Sequence, residues 1–303
     1  MPRERRDSGF LEATNIPLSQ RWMTPLHFDV LVLLVSAIAG LLGSLLGLGG
    51  GIIVIPALTL LFDIDIKYAI GASIVSVIAT SSGAAAAYVR EGMSNLRVAM
   101  FLEMATVTGA ITGAYIAKVI NGHWLFIIFG VVLAYSAVVM FRKRHEHIAN
   151  PKAMRPAPWA DYLQLSSTYY DAATETLVAY RVVHARVGLV LMYIAGAFSG
   201  LLGIGSGSLK VPAMDIAMQM PIKVSTATSN FMIGVTAAAS AGVYFMGGYI
   251  VPFIAAPVAI GVLLGAMIGS QLLGRLQSST IRIVFVVVLL WISFQMIWKG
   301  LHG

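Results

Sequence analysis

Apolar and polar positions fall along this chain in long blocks rather than in alternation. Apolar runs occupy about 27–46, 51–62, 69–89, 98–119 and 124–141, and a polar stretch covers 142–186. Further apolar runs follow at 187–203, 208–220, 224–246, 250–273 and 281–298. A helix needs roughly 20 apolar residues to cross a bilayer, and most runs approach that length. The second and seventh are too short for an untilted span. Short, glycine-interrupted segments at matching places in two halves are the sequence mark of a transporter site built from broken helices. The pattern predicts an all-α polytopic membrane protein with two homologous repeats of four or five helices each. Its divisions are a polar N-terminal segment 1–26, a first transmembrane repeat 27–141, a linker 142–186, a second repeat 187–299 and a tail 300–303.

The two halves repeat each other without a gap. Gly47, Gly49, Gly51 and Pro56 recur 156 positions later as Gly203, Gly205, Gly207 and Pro212. At the same offset Ile66-Lys67 matches Ile222-Lys223, Ser73 matches Ser229 and Tyr88 matches Tyr244. Gly109, Ala110 and Gly113 match Gly265, Ala266 and Gly269. Cytoplasmic loops carry the excess of Lys and Arg. With five crossings per half, Arg90, Arg97, the 142–186 stretch, Lys223, Arg275 and Arg282 share one side. Lys67, Lys118 and Lys299 then take the other, and the halves are inverted. With re-entrant short segments each half has four spans and the halves are parallel. The charge bias favours inversion.

Composition sharpens this. Of 303 residues, 58% are hydrophobic and only 11% charged, against roughly 25% charged in soluble domains. The net charge of +7 sits in loops and linker, with no basic groove bearing interleaved aromatics, so nucleic acid is not an expected partner. The absence of cysteine excludes disulfides and thiolate metal sites. A polar stretch precedes the first apolar run, which argues for an uncleaved anchor rather than a signal peptide. The expected location is the inner or plasma membrane, in a multi-pass arrangement, with the lipid bilayer as surroundings. In the linker, two β-rich runs around Asp171-Ala172-Ala173-Thr174 suggest a hairpin, read as a cytoplasmic cap without a ligand.

The stretches GLGGGIIVIP and GIGSGSLKVP, followed by KVSTATSNFMIGVTAAASAGVYFMGGYIVP, resemble the sulfite exporter TauE/SafE family of membrane permeases. The resemblance covers roughly residues 30–140 and 185–300, and the linker hairpin looks like a variant seen in some members. It implies movement of small sulfur-containing anions such as sulfite, sulfonates and related organic acids. Ser206 stands where Gly50 stands in the first break, a departure that bears on which anion is carried.

An anion entering a bilayer loses its hydration, so donors must replace water without many buried charges. The first amides of a half-helix are unpaired and lie at its positive dipole end. Gly49, Gly50 and Gly51, with Gly205, Ser206 and Gly207, are therefore the candidate anion-binding breaks. Tight helix packing competes, but packing needs neither three glycines nor a break. For the GxxxG pairs Gly43/Gly47 and Gly196/Gly200, packing is the preferred reading. Ser73, Ser76 and Thr80, and Thr226, Thr228, Ser229 and Asn230, are polar within apolar helices. They would supply donors to the solute or bond within and between helices, with Ser229 and Asn230 the better candidates. Lys210 would pair with the anion or snorkel toward the interface, the latter slightly preferred. Glu103 would couple protons or pair with Arg97 near the interface, the pairing being preferred. The small-residue stripes Gly109/Gly113 and Gly261/Gly265/Gly269 read as packing surfaces, and could equally form the face of a homodimer.

An enzyme would need a nucleophile–base pair or metal ligands within the spans. The six histidines lie at segment ends or in loops, and no HExxH or Walker A motif occurs. No catalytic residue, metal or cofactor is expected. The reading is a secondary transporter for a small anionic solute, working by alternating access between the halves; an anion channel is the alternative, a membrane-embedded enzyme a weaker one.

Overall fold

A computed structural model describes residues 25–45, 50–90, 92–142, 158–171, 176–273 and 278–302. The apolar runs are helices. In the first half these are α1 Pro25–Leu45, α2 Gly51–Leu61, α3 Ile66–Arg90, α4 Leu96–Val119 and α5 Gly122–Arg142. The linker holds a short α6, Pro158–Tyr162, and two strands, β1 Ser167–Asp171 and β2 Thr176–Tyr180. The second half holds α7 Ala185–Leu202, α8 Gly207–Pro212, α9 Ile222–Met246, α10 Pro252–Leu273 and α11 Ser278–His302. The starts of α2 to α5 and of α8 to α11 keep the 156-residue offset at every helix. Among the described residues, α4, Gly122–Val139 of α5, α7 and α9 are long and apolar enough to cross a membrane.

Pro212 has no N–H to continue the helical ladder, and the backbone widens directly after it into a π turn over Ala213–Ala217. Pro56 sits at the matching place inside α2.

The halves interlock by exchanging partners: α1 packs on α10, α4 on α7, α3 on α9 and α5 on α11. Glycines set how closely these helices approach. Gly196 lies against the Thr106 carbonyl and Gly200 against that of Ala110, so α4 and α7 run parallel. Gly261 meets Leu33 and Gly265 meets Ala37, so α1 and α10 also run parallel. By contrast Gly130 meets Ser293 while Gly300 meets His123, which makes α5 and α11 antiparallel. Gly71 lies against Tyr249 and Gly234 against Ser81, so α3 and α9 are antiparallel too. Gly109 and Gly113 are covered by Tyr193 and Ala197 of α7. These stripes are consumed inside the chain and are not available as a dimer face; the side-chain surroundings of Gly269 lie outside the described residues.

The linker docks on the end of the bundle where α3 finishes and α4 starts. β1 and β2 pair antiparallel from Ser167↔Tyr180 to Asp171↔Thr176; residues 172–175 between them lie outside the described residues, as do the basic stretch 143–157 and residues 1–24. Asn95 makes the joint. Its Oδ1 accepts from the Val98 N–H at 3.0 Å, capping α4, and its Nδ2 donates to the Leu165 carbonyl at 2.8 Å and to the Tyr180 hydroxyl at 2.7 Å. Its own N–H donates to Thr228 Oγ1 on α9 at 3.0 Å. Burial raises the Tyr180 phenol above its ordinary range, opposed in part by the Asn95 amide. Tyr169, Tyr180, Val182 and Val183 bury themselves with Val98, Leu102 and the methionines Met214, Met218, Met220 and Met232. At the opposite end, Lys299 Nζ contacts Asp63 Oδ1 at 2.6 Å and donates to the Thr59 carbonyl at 2.8 Å.

Candidate functional site

Helix α7 stops because Gly203 takes a left-handed conformation, φ 65°, returning its N–H to the Ser199 carbonyl at 2.7 Å. Gly205 at φ 74° and Ser206 at φ 50° keep the chain out of helix until Gly207 opens α8. A helix end leaves its last carbonyls without intrahelical donors, and in apolar surroundings each needs a partner. The second half supplies one: the Tyr244 hydroxyl lies 3.0 Å from the Gly200 carbonyl and 3.2 Å from that of Leu201. The first half supplies the other: Ser73 Oγ donates to the Gly203 carbonyl at 2.9 Å.

The first break arrives at the same point. Gly50 accepts from the N–H groups of Ile53 and Val54 at 3.2 and 3.1 Å, starting α2. A Cβ on Gly51 would lie 2.6 Å from Ser73 Oγ and 3.2 Å from the Gly203 carbonyl oxygen. Gly50 packs on Val262 of α10. Gly51 and Gly203, one from each break, thus both rest on Ser73. Gly49 and Gly47 lie outside the described residues.

Among the candidate hydroxyls, the two halves differ. Ser73 spends its proton on Gly203, while Ser76 and Thr80 donate to the Ser73 and Ser76 carbonyls at 2.7 and 3.0 Å. Ser73 thus ties its helix to the second half's break, while Ser76 and Thr80 bond within their own helix. In the second half, Ser206 Oγ and Ser229 Oγ are buried with no hydrogen-bond partner. Ser229 shares a face of α9 with Met232, Ile233 and Thr236. The second break packs on this face, since a Cβ on Gly205 would lie 2.9 Å from Ile233 Cγ2. Thr228 receives the Asn95 N–H, while Asn230 is half-buried one position further round. Gly207 is buried at the first position of α8.

Two of the sequence preferences need correction. Lys210 does not snorkel: it is fully buried, its Nζ donating to Thr236 Oγ1 at 2.6 Å and to the Met232 carbonyl at 3.3 Å. Helix α8 starts deep in the bundle, so the side chain is too far inside to reach its surface. Glu103 does not pair with Arg97, which instead reaches the Gln164 carbonyl at 3.2 Å in the linker. One and a half turns further on, Glu103 faces inward, and its Oε1 lies 2.7 Å from Thr236 Oγ1. Its Oε2 is buried and unpartnered. Thr236 is the residue that sequence reasoning missed. A usable signal existed for the two charges it joins, Lys210 and Glu103, because opposite charges isolated in separate apolar runs are expected to find each other.

The arrangement offers an anion several things at once. There are two buried, unspent hydroxyls, a break rich in backbone amides, and an ammonium one turn past Ser206 that has, among the described residues, two acceptors for its three protons.

A sequence profile described as sulfite exporter TauE/SafE matches residues 32–296. The chain is 30% identical to the probable membrane transporter protein YunE of Bacillus subtilis, over 92% of this chain and all of that relative. It is 27% identical to a probable membrane transporter protein of Xylella fastidiosa, covering 86% of this chain and 93% of the relative. A third, the probable membrane transporter protein YdhB of Bacillus subtilis, is 25% identical over 80% and 89% of the two chains. No solved structure matches significantly.

Proposed function

Because the chain belongs to the sulfite exporter TauE/SafE family and is a membrane transporter, we propose that it is a multi-pass secondary carrier of the cell membrane for small sulfur-containing anions. Sulfite, sulfonates and related organic acids are the solutes, and the two halves move against each other to expose the site to each face in turn. The linker end of the bundle, which carries Arg97, Arg181, Arg186 and Lys223, is the cytoplasmic end by its excess of basic residues.

The observation that carries this reading is the meeting of the breaks beside two buried, unpartnered hydroxyls. Gly51 and Gly203 converge on Ser73, while Ser206 Oγ and Ser229 Oγ have no partner among the described residues. A buried hydroxyl without a partner is destabilising by about 1–3 kcal/mol, so a polar occupant at this position relieves a standing penalty. The first amides of the helices that follow the breaks lie at the positive end of a helix dipole, which favours negative charge. Ser206 in place of the first half's Gly50 makes the cradle one-sided and gives it a hydroxyl suited to an oxyanion.

The test is reconstituted protein offered sulfite, methanesulfonate, thiosulfate and simple carboxylates. Saturable flux with counterflow, together with thermal stabilisation by the sulfur oxyanions, is the expected result. Stabilisation and flux by carboxylates alone would move the solute class, and unsaturated currents would make the protein a channel.

A further inference from the structure

Lys210, Thr236 and Glu103 come from three helices and form a chain of hydrogen bonds, ammonium to hydroxyl to carboxylate, at 2.6 and 2.7 Å. The fold does not require it. At the positions related by the 156-residue repeat stand Val54 and Thr80 of the first half and Ala259 of the second, and Thr80 donates to carbonyls of its own helix. The same scaffold is thus built once with an apolar filling and once with two opposite charges. A buried ion pair is weak evidence of stabilisation, because desolvation offsets much of the attraction. Its presence at one of the two repeat-related positions, where the other has Val54 and Ala259, speaks for use.

Two details say what the use is. Glu103 Oε2 is buried and unpartnered, leaving one carboxylate oxygen open to a proton. Thr236 Oγ1 lies 2.7 Å from Glu103 Oε1 and also 2.7 Å from the Met232 carbonyl, and a hydroxyl has one proton for these two acceptors. With Glu103 ionised, the Thr236 proton points at Glu103. With Glu103 protonated on Oε2, Oε1 becomes a neutral carbonyl oxygen and a weaker acceptor, and the Thr236 proton is released to the Met232 carbonyl. The ammonium of Lys210 keeps both its acceptors throughout.

Resting on the anion-carrier reading above, we propose that Glu103 is the proton-binding group that couples anion binding to proton uptake, with Lys210 as the internal charge shared between carboxylate and anion. Charge arithmetic enforces the coupling. Empty, the site holds Lys210 positive and Glu103 negative and is neutral. Loaded, it holds Lys210 positive, Glu103 protonated and one anion, and is neutral again. Anion without proton, or proton without anion, leaves a net charge in a low-dielectric interior and is disfavoured. Each ligand therefore raises the affinity for the other, as linkage demands.

Other titratable groups on the packed elements are accounted for elsewhere. On α7, Tyr193 meets Thr112 on the exposed side of the helix pair and Arg186 stacks on Trp159 of the linker. On α9, Tyr244 faces the α7 carbonyls and Lys223 lies in the first turn, while Asp215 lies in the π turn toward the linker end. Lys210 is the one that faces Glu103 through Thr236.

The experiment is calorimetric titration of the full chain with methanesulfonate and with ethanesulfonate, monoanions that do not titrate near neutrality, in buffers of different ionisation enthalpy. The wild type should take up about one proton per anion bound, with affinity falling about tenfold per pH unit where that proton must be acquired. In E103Q the proton count should fall to zero and the pH dependence should vanish. A double variant copying the repeat-related residues, K210V with E103A, should elute as folded protein, bind the anion at least tenfold more weakly and take up no proton. Wild-type binding without proton uptake overturns the proposal, as does unchanged uptake in E103Q or in the double variant. A wild type that binds neither anion overturns the sulfur-oxyanion reading and this inference with it. The wild-type proton count stands whether or not either variant folds.

Discussion

The Ser73 hydroxyl donates to the Gly203 carbonyl at 2.9 Å and lies where a Cβ on Gly51 would collide with it. One side chain of the first half thus satisfies the backbone of the second half's break and seats the first half's own break. Replacing it with alanine should destabilise the protein by about 0.6–1.7 kcal/mol, the span measured for interhelical hydrogen bonds in membranes. Thermal unfolding of purified S73A, compared with S76A, checks this. Ser76 bonds only within its helix, so S76A should shift the midpoint less.

Glycine positions separate close approach from free space. A Cβ at Gly200 would collide with the Ala110 carbonyl, whereas one at Gly242 meets nothing within 4 Å. G200A should prevent α4 and α7 from closing and sharply lower the yield of folded protein. G242A should be neutral or stabilising by up to about 1 kcal/mol, the helix-propensity difference. Size-exclusion profiles and unfolding midpoints of the pair decide it.

Bulk placed in the breaks should remove function while sparing assembly of the membrane-inserted chain. Ser206→Leu fills the position of an unspent hydroxyl, and Gly50→Leu presses on Val262. Both should lose flux of sulfur oxyanions in liposomes while remaining in the membrane fraction. Unchanged flux in both would remove the breaks from the transport site.

Asn95→Ala removes a helix cap and the joint to the linker together. The cap alone is worth about 1 kcal/mol, and Nδ2 also holds Leu165 and Tyr180. The expected outcome is a midpoint drop larger than a cap accounts for, with faster proteolysis of the linker around residues 158–180. Equal proteolysis in variant and wild type would show that the linker is held by its apolar contacts alone.

The helices were legible because each is an apolar run with polar or proline-bearing ends, so Leu96–Val119 and Ile222–Met246 depart from the expected runs by only a residue or two at their starts. Helix partnership was not legible in the same way. Gly109 and Gly113 announce close approach, but only the fold says that α7 makes it. The hydroxyl face of Ser73, Ser76 and Thr80 left donation to a solute and bonding between or within helices open for a related reason. Periodicity shows that side chains share a face, but not which carbonyls take their protons: that of a distant break for Ser73, those of the same helix for Ser76 and Thr80. Lys210 and Glu103 were visible as isolated charges, yet the side chain joining them is a threonine, a residue that gives no signal within a helix of many small polar residues.

The exchange of partners between halves also sets the order in which the chain can be completed. Helix α1 presents Leu33 and Ala37 to Gly261 and Gly265, which leave the ribosome long after α1 has been made. Until then α1 has no close-packed neighbour along that face, and α4 likewise waits for α7 across the whole linker. Neither half can mature as a separate product, and a truncation before α10 should leave the first helix for quality-control proteases to find.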